Sequence, residues 1–217
     1  MDAHEEALAA RRAAAAPRKA SAAEIPRLAA LLAEAFAEDP VMSWGFREGA
    51  GHAGALKTYF THALTRQCAQ HDAMFVGPDM KSAAIWLPPS GLASLSLPMW
   101  RMVLMLPTLL KVTGFSRLGR AAALGEAMEK HHPPDPPHWY LFFVGVAPDL
   151  RGKGVGSAIL EATLAEADAA AMPAHLDNSN PKNTRLYERH GFRVVTEYRA
   201  RKDAPPIWGM WRDARRA

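Results

Sequence analysis

Cysteine is almost absent: the 217 residues hold one, Cys68, so no internal disulfide can form. A chain of this length can bury a sufficient core without such staples, and a single thiol fits a reducing cytoplasm, the expected location. Cys68 follows Leu64 at helical spacing, which reads as core filling, with a nucleophile as the alternative. Charge is not concentrated either. The formal net charge is +4, and Arg212, Arg215 and Arg216 form only a small basic tail, a solvated end rather than a nucleic-acid-binding arm. Met1 to Ala16 is Ala-rich and lacks the apolar stretch of a secretory signal, leaving a helical extension or a frayed tail. Leu92 to Val112 is apolar and rich in Leu and Met, but Pro98, Arg101 and Pro107 interrupt it, so a buried or substrate-facing helix is expected rather than a membrane span. No Cys or carboxylate stands at ligand spacing from His131 and His132, so no metal is expected. There is no internal repeat.

The sequence is richest in information from Val144 to Ser157. Val144-Gly145-Val146 ends an apolar strand. Arg151-Gly152-Lys153-Gly154-Val155-Gly156-Ser157 then turns into a helix. Glycine at every second position leaves backbone N–H groups uncovered where a helix dipole is positive, an arrangement suited to phosphate. A P-loop is excluded, because Ala147 stands where its first glycine is needed and Gly154 follows the lysine. A dinucleotide fingerprint fails too, with Ile159 in place of its last glycine.

The remaining pattern gives a coarse element order. Pro17 to Ala20 supplies a short strand. Ser21 and Glu24 form a capping box for a helix reaching Asp39-Pro40, and a second helix spans Ala53 to Gln70. Ala73 to Val76 and Ala83 to Leu87 read as strands around a Gly77-Pro78-Asp79 turn. Gly91 to Lys130 carries no strand signal and reads as two helices broken at Gly114, followed by a proline-stiffened connector. His138 to Val146 is a buried central strand. A helix from Gly154 to Ala171, a short strand from Ala174 to Asp177, a helix from Pro181 to His190 and two last strands, Phe192–Tyr198 and Ile207–Trp211, complete the chain.

The R-x-x-G-x-G turn resembles the acetyl-CoA pyrophosphate loop of the GNAT superfamily of N-acetyltransferases. Asn180-Pro181-Lys182-Asn183-Thr184-Arg185-Leu186-Tyr187-Glu188-Arg189-His190-Gly191-Phe192 resembles that superfamily's fourth-helix motif. Ala30–Pro40, Ala84-Ile85-Trp86 and the His138 strand are similar to the branch that includes puromycin N-acetyltransferase. The resemblance implies one α/β (α+β) domain over residues 17–217, with a mixed, mostly antiparallel sheet and a helical insertion at 91–130. Residues 1–16 form an extension.

It also implies roles for residues. The backbone from Arg151 through Ser157 (Gly152, Lys153, Gly154, Val155 and Gly156 between them) takes the cofactor diphosphate. The pantetheine arm lies along Val144, Gly145 and Val146, and the Val144 N–H serves as a one-donor oxyanion hole. Tyr187 contacts the cofactor and protonates the leaving thiolate, with a core aromatic as the alternative. Asn183 contacts the cofactor or caps its helix. Asp177 removes the amine proton, or is a structural hydrogen-bond acceptor; His138 and His175, the latter placed on the opposite strand face, are further candidates.

The activity implied is transfer of the acetyl group of acetyl-CoA to a primary amine of a small molecule, by direct attack in a ternary complex. No metal, nucleic acid or membrane takes part, and the protein is a monomer or homodimer. The Leu/Met-rich insertion suggests an apolar wall for the acceptor. A protein or peptide N-acetyltransferase, or a non-catalytic acyl-CoA-binding module, are the alternatives.

Overall fold

The computed structural model describes residues 3–95 and 99–215. Pro98 and Arg216, singled out above, lie outside them, as do the first residues of the extension.

Helices α1 (Ala3–Ala15), α2 (Ile25–Ala35), α3 (Pro40–Gly45), α4 (His52–Ala63), α5 (Met99–His131), α6 (Val155–Ala169) and α7 (Thr184–Arg189) surround one sheet. Its strands are β1 (Arg18–Lys19), β2 (Met74–Val76), β3 (Ser82–Leu87), β4 (Trp139–Val146), β5 (Ala174–Asn178), β6 (Arg193–Tyr198) and β7 (Ile207–Arg212). They run in the order β1-β2-β3-β4-β5-β7-β6. Every pairing is antiparallel except that of β4 with β5.

Period-two alternation assigns the faces. Met74, Val76, Ala83, Ile85 and Leu87 pack with α2 and α4, whereas Ala73, Phe75, Ala84 and Trp86 pack with α6. In β4 the alternation slips at Phe142-Phe143, where both rings turn to the α2 side and stack at 4.1 Å. Opposite them Ile85 pairs with Phe143 and Trp86 with Leu141, so Phe142 is the extra residue of a β-bulge. Only Trp139 to Leu141 pair with β5, against Ala174 to Leu176. The two strands part at the bulge.

Several element bounds differ from the sequence expectation. The first helix stops at Ala35, and Asp39 opens a separate helix, α3, by accepting 3.0 Å bonds from the Val41 and Met42 N–H groups. The second helix continues past Ala63 as a wider turn, Leu64–Cys68. The insertion does break at Gly114, which sits at φ 66° within α5. Arg212 is not part of a solvated tail: only 2% exposed, it forms a double bond pair with Asp168 of α6 at 2.7 and 2.8 Å. The extension is helical and docked, with Ala10 and Ala14 buried beside α6. No helix among the described residues is long and apolar enough to cross a membrane.

Candidate active site

The parted strands leave one edge of β4 without a partner. The Ala147 N–H donates to the Lys81 carbonyl at 2.9 Å, so the backbone groups of Ala147, Gly145 and Phe143 face β3. By alternation those of Val144 and Val146 face the opened side. Gly145 has a packing reason as well: a Cβ there would fall 2.8 Å from Leu32 Cδ2 and 3.1 Å from Ala35 Cβ, so its absence lets α2 press onto the strand.

A cleft of ≈610 Å³ runs from this edge to the glycine loop. Val144, Gly145, Val146, Arg151, Gly152, Gly154, Gly156, Ser157, Asn183 and Tyr187 all line it, together with Asp39. Gly152 and Gly154 take φ of 73° and 80°, values that disfavour any side chain, and Gly154 caps α6. Two loop residues are placed elsewhere. Val155 is buried in the core beneath α6, and Lys153 faces a neighbouring groove. The Arg151 guanidinium donates to the Ala35 and Glu34 carbonyls at 2.7 and 3.3 Å, holding the C-terminal end of α2 against the loop. Ser157 Oγ lies 2.7 Å from His190 Nε2. The cap at the fourth-helix motif comes from Asn180, whose side-chain oxygen accepts from the Lys182 N–H at 3.1 Å; Asn183 makes no side-chain cap.

Tyr187 is buried at the floor of the cleft. Burial, then the nearby Asp39 charge, lift its phenol well above the ordinary range. Asp39 itself is raised by burial, against hydrogen bonds from Ser179, Met42 and Val41.

On the far side of the bulge lies a chamber of ≈220 Å³. Met105, Leu109, Val112, Leu124 and Met128 of α5 line it with Phe142 and Phe143, and Phe36 lines both chamber and cleft. Asp177 opens into it as the carboxylate among these walls, with His62 and the phenols Tyr59 and Tyr140. Its carboxylate accepts from Tyr140 Oη at 3.0 Å and Tyr198 Oη at 2.9 Å. Burial alone would raise its pKa. His175, Tyr198 and Tyr140 outweigh that and hold it below the usual carboxylate value.

His175 lies on the same face as Asp177, not the opposite one, since residues two apart on a strand share a face. Its Nε2 is 3.7 Å from Asp177 Oδ2, an electrostatic contact beyond hydrogen-bond reach, and neither ring nitrogen has a hydrogen-bond partner among the described residues. His138 is buried at the start of β4, 3.2 Å through Nε2 from His132 Nε2. Burial first, then His175 and His138, pull His132 down to about 4. His132, His175 and Asp177 offer donor atoms within 4.8 Å of one another, a grouping of distant residues that local ligand spacing does not reveal. The rings meet edge to face, His132 on His175 at 5.2 Å and on Tyr140 at 4.9 Å. Cys68 is buried in the core on the α4 side of the sheet, its thiol pushed up to about 12 by burial, which leaves no thiolate for attack.

A mixed sheet that parts beside a glycine loop at a helix N-terminus defines the fold of the GNAT acyltransferases. The chain shares this fold, and its residues 112–192 match the acetyltransferase (GNAT) family. Over 63 residues, 28% of the chain, it is 36% identical to the mycothiol acetyltransferase of Propionibacterium freudenreichii, and it spans only 20% of that relative's length. A Corynebacterium glutamicum structure described as histone acetyltransferase HPA2 and related acetyltransferase is 25% identical, with 93% of this chain and 97% of that one covered at a TM-score of 0.63. Arylalkylamine N-acetyltransferase 2 of Aedes aegypti shares the fold at 14% identity, covering 91% of this chain and 97% of its own with a TM-score of 0.59.

Proposed function

We propose that the chain is an acetyl-CoA-dependent N-acetyltransferase that passes the acetyl group directly to the primary amine of a compact, largely apolar molecule. The observation that carries this reading is the junction of the two cavities: cleft and chamber meet at Phe36 and the β4 bulge. A donor in the one and an amine in the other would face each other across the free edge of Val144, which favours a ternary complex over a covalent enzyme intermediate.

The residues fit such a donor. The positive-φ glycines and the N-terminal end of α6 suit a diphosphate, and the unpaired β4 edge suits an extended pantetheine arm. When bound, acetyl-CoA supplies an acetyl group activated as a thioester. The Val144 N–H then donates to the acetyl oxygen as negative charge develops there. Asp177 accepts the proton lost by the attacking ammonium, directly or through water. Tyr187, kept protonated by its surroundings, gives its hydroxyl proton to the departing thiolate. One C–N bond forms and one C–S bond breaks; of the two protons the ammonium gives up, Asp177 takes the first, and the second, lost from the nitrogen after attack, replaces the one that Tyr187 gives to the thiolate.

The roof provided by α5 and the small volume of the chamber favour a compact amine over a protein N-terminus. Incubation with acetyl-CoA and a panel of arylalkylamines, polyamines, aminoacyl nucleosides of the puromycin type and short peptides, read with a thiol reagent, tests the reading. Thiol release with apolar amines is expected. Tight cofactor binding without thiol release across the whole panel would overturn the enzyme reading in favour of a binding module.

A further inference from the structure

Helix α1 lies outside the element order that the acetyltransferase resemblance implies, yet it is firmly docked. Ala10 and Ala14 bury against α6, and the Glu6 carboxylate pairs with Lys81 of the β2–β3 turn. This docking carries Arg11 to the glycine loop. A Cβ on Gly154 would lie 3.6 Å from both Arg11 Cδ and Arg11 Nε, so the guanidinium arm crosses directly over the turn.

Between α1 and the loop runs a groove of ≈630 Å³ lined by Arg11, Lys153 and His4 together with Gly152 and Gly154. The two glycines also line the donor cleft, so groove and cleft are continuous around the loop. Glu6 of α1's first turn pairs with Lys81, and Lys153 lies within reach of its charge. A planar guanidinium beside an ammonium suits a phosphate monoester, which offers about two negative charges and three acceptor oxygens.

We propose that this groove is a second anion subsite for the donor and takes the 3′-phosphate at the nucleotide end of coenzyme A, with Arg11 of α1 as its main side-chain ligand. The inference rests on the acetyl-CoA reading above. The diphosphate occupies the N-terminus of α6, and the remaining phosphate of the cofactor is the one on the ribose. Continuity of the groove with the cleft brings that group to Arg11. The extension thereby becomes part of the cofactor site.

Calorimetric titration of the full chain with coenzyme A and with 3′-dephospho-coenzyme A tests this. Unsubstituted protein should bind coenzyme A more tightly, and Arg11→Ala should weaken that binding about tenfold while leaving the dephospho form unchanged, the size expected for one charge-assisted contact. Arg11→Lys should retain part of the preference. Arg11 is exposed, and unchanged thermal unfolding of each variant would show that the fold is intact. Equal affinity of the unsubstituted protein for both forms, or an equal loss for both on Arg11→Ala, would overturn the subsite. Binding of neither form by the unsubstituted protein would overturn the acetyl-CoA reading itself, and the subsite with it.

Discussion

The Tyr140 hydroxyl donates to one oxygen of Asp177 at 3.0 Å while Tyr198 donates to the other at 2.9 Å, so one carboxylate ties β4, β5 and β6 together at the wall of the apolar chamber. The same bonds, with His175, offset the burial that would otherwise neutralise Asp177. An ionised carboxylate in an apolar chamber is what an ammonium-bearing acceptor needs. Asp177→Asn should lower turnover by about a hundredfold or more, with coenzyme A affinity retained. Tyr140→Phe and Tyr198→Phe each remove a donor, so the acidic limb of the pH–rate profile should move to higher pH. A limb that stays in place would remove Asp177 from the proton transfer.

The lowered pKa of Asp177 also has a stability consequence. A carboxyl with a depressed folded value contributes stability that is present above its unfolded value, about 3.9, and lost as pH falls through the lower folded value. Urea unfolding at pH 7 and near pH 3 should therefore show the advantage of the unsubstituted chain over Asp177→Asn shrinking in acid.

Tyr187 and Asp39 share the floor of the donor cleft, and the Asp39 charge adds to burial in keeping the phenol protonated. Tyr187→Phe should reduce turnover and leave cofactor affinity nearly unchanged; equal loss of both would make it a packing residue. Asp39→Asn keeps an oxygen for the Val41 and Met42 N–H groups but removes the charge. The phenol pKa should then fall and the alkaline limb of the profile move to lower pH.

Gly145 is where α2 presses closest on β4. Gly145→Ala places a methyl within 3.1 Å of Ala35 Cβ and closer still to Leu32, and should cost about 1–3 kcal/mol, measured by denaturant unfolding. Cofactor affinity should fall as well, because the same displacement moves the open edge of Val144.

Arg212 is buried and pairs doubly with Asp168 while donating to the His190 carbonyl at 3.1 Å, joining β7 to α6 and to the end of α7. Asp168 is 30% exposed, which softens the loss of its partner. Arg212→Ala should cost about 2–3 kcal/mol; Arg212→Lys should cost less because it keeps the charge beside Asp168, but not nothing, since an ammonium cannot make the paired contact.

Much of this was legible in the sequence wherever the signal was local. Glycine spacing at 152–156 marked the loop, the apolar run ending at Val146 marked the central strand, and Gly114 marked the break in the insertion. What escaped depends on contacts between distant residues. Asp39 looked like a helix stop because the proline after it forbids helix on one side, yet it is the cap of a new helix and a neighbour of Tyr187. Tyr140 and Tyr198 looked like strand aromatics; only the sheet order brings both onto Asp177. The slip at Phe142-Phe143 breaks period-two alternation by one residue inside a continuous apolar run, so hydrophobicity could not reveal it. His132 lies 43 positions before His175 in the sequence. Their contact exists only because α5 returns to the start of β4.

Direct transfer is the central claim, and steady-state kinetics with acetyl-CoA and an apolar amine both varied tests it most directly. Double-reciprocal lines that intersect, with no coenzyme A released until amine is added, are the expected result. Parallel lines, or a burst of coenzyme A in the absence of amine, would contradict it.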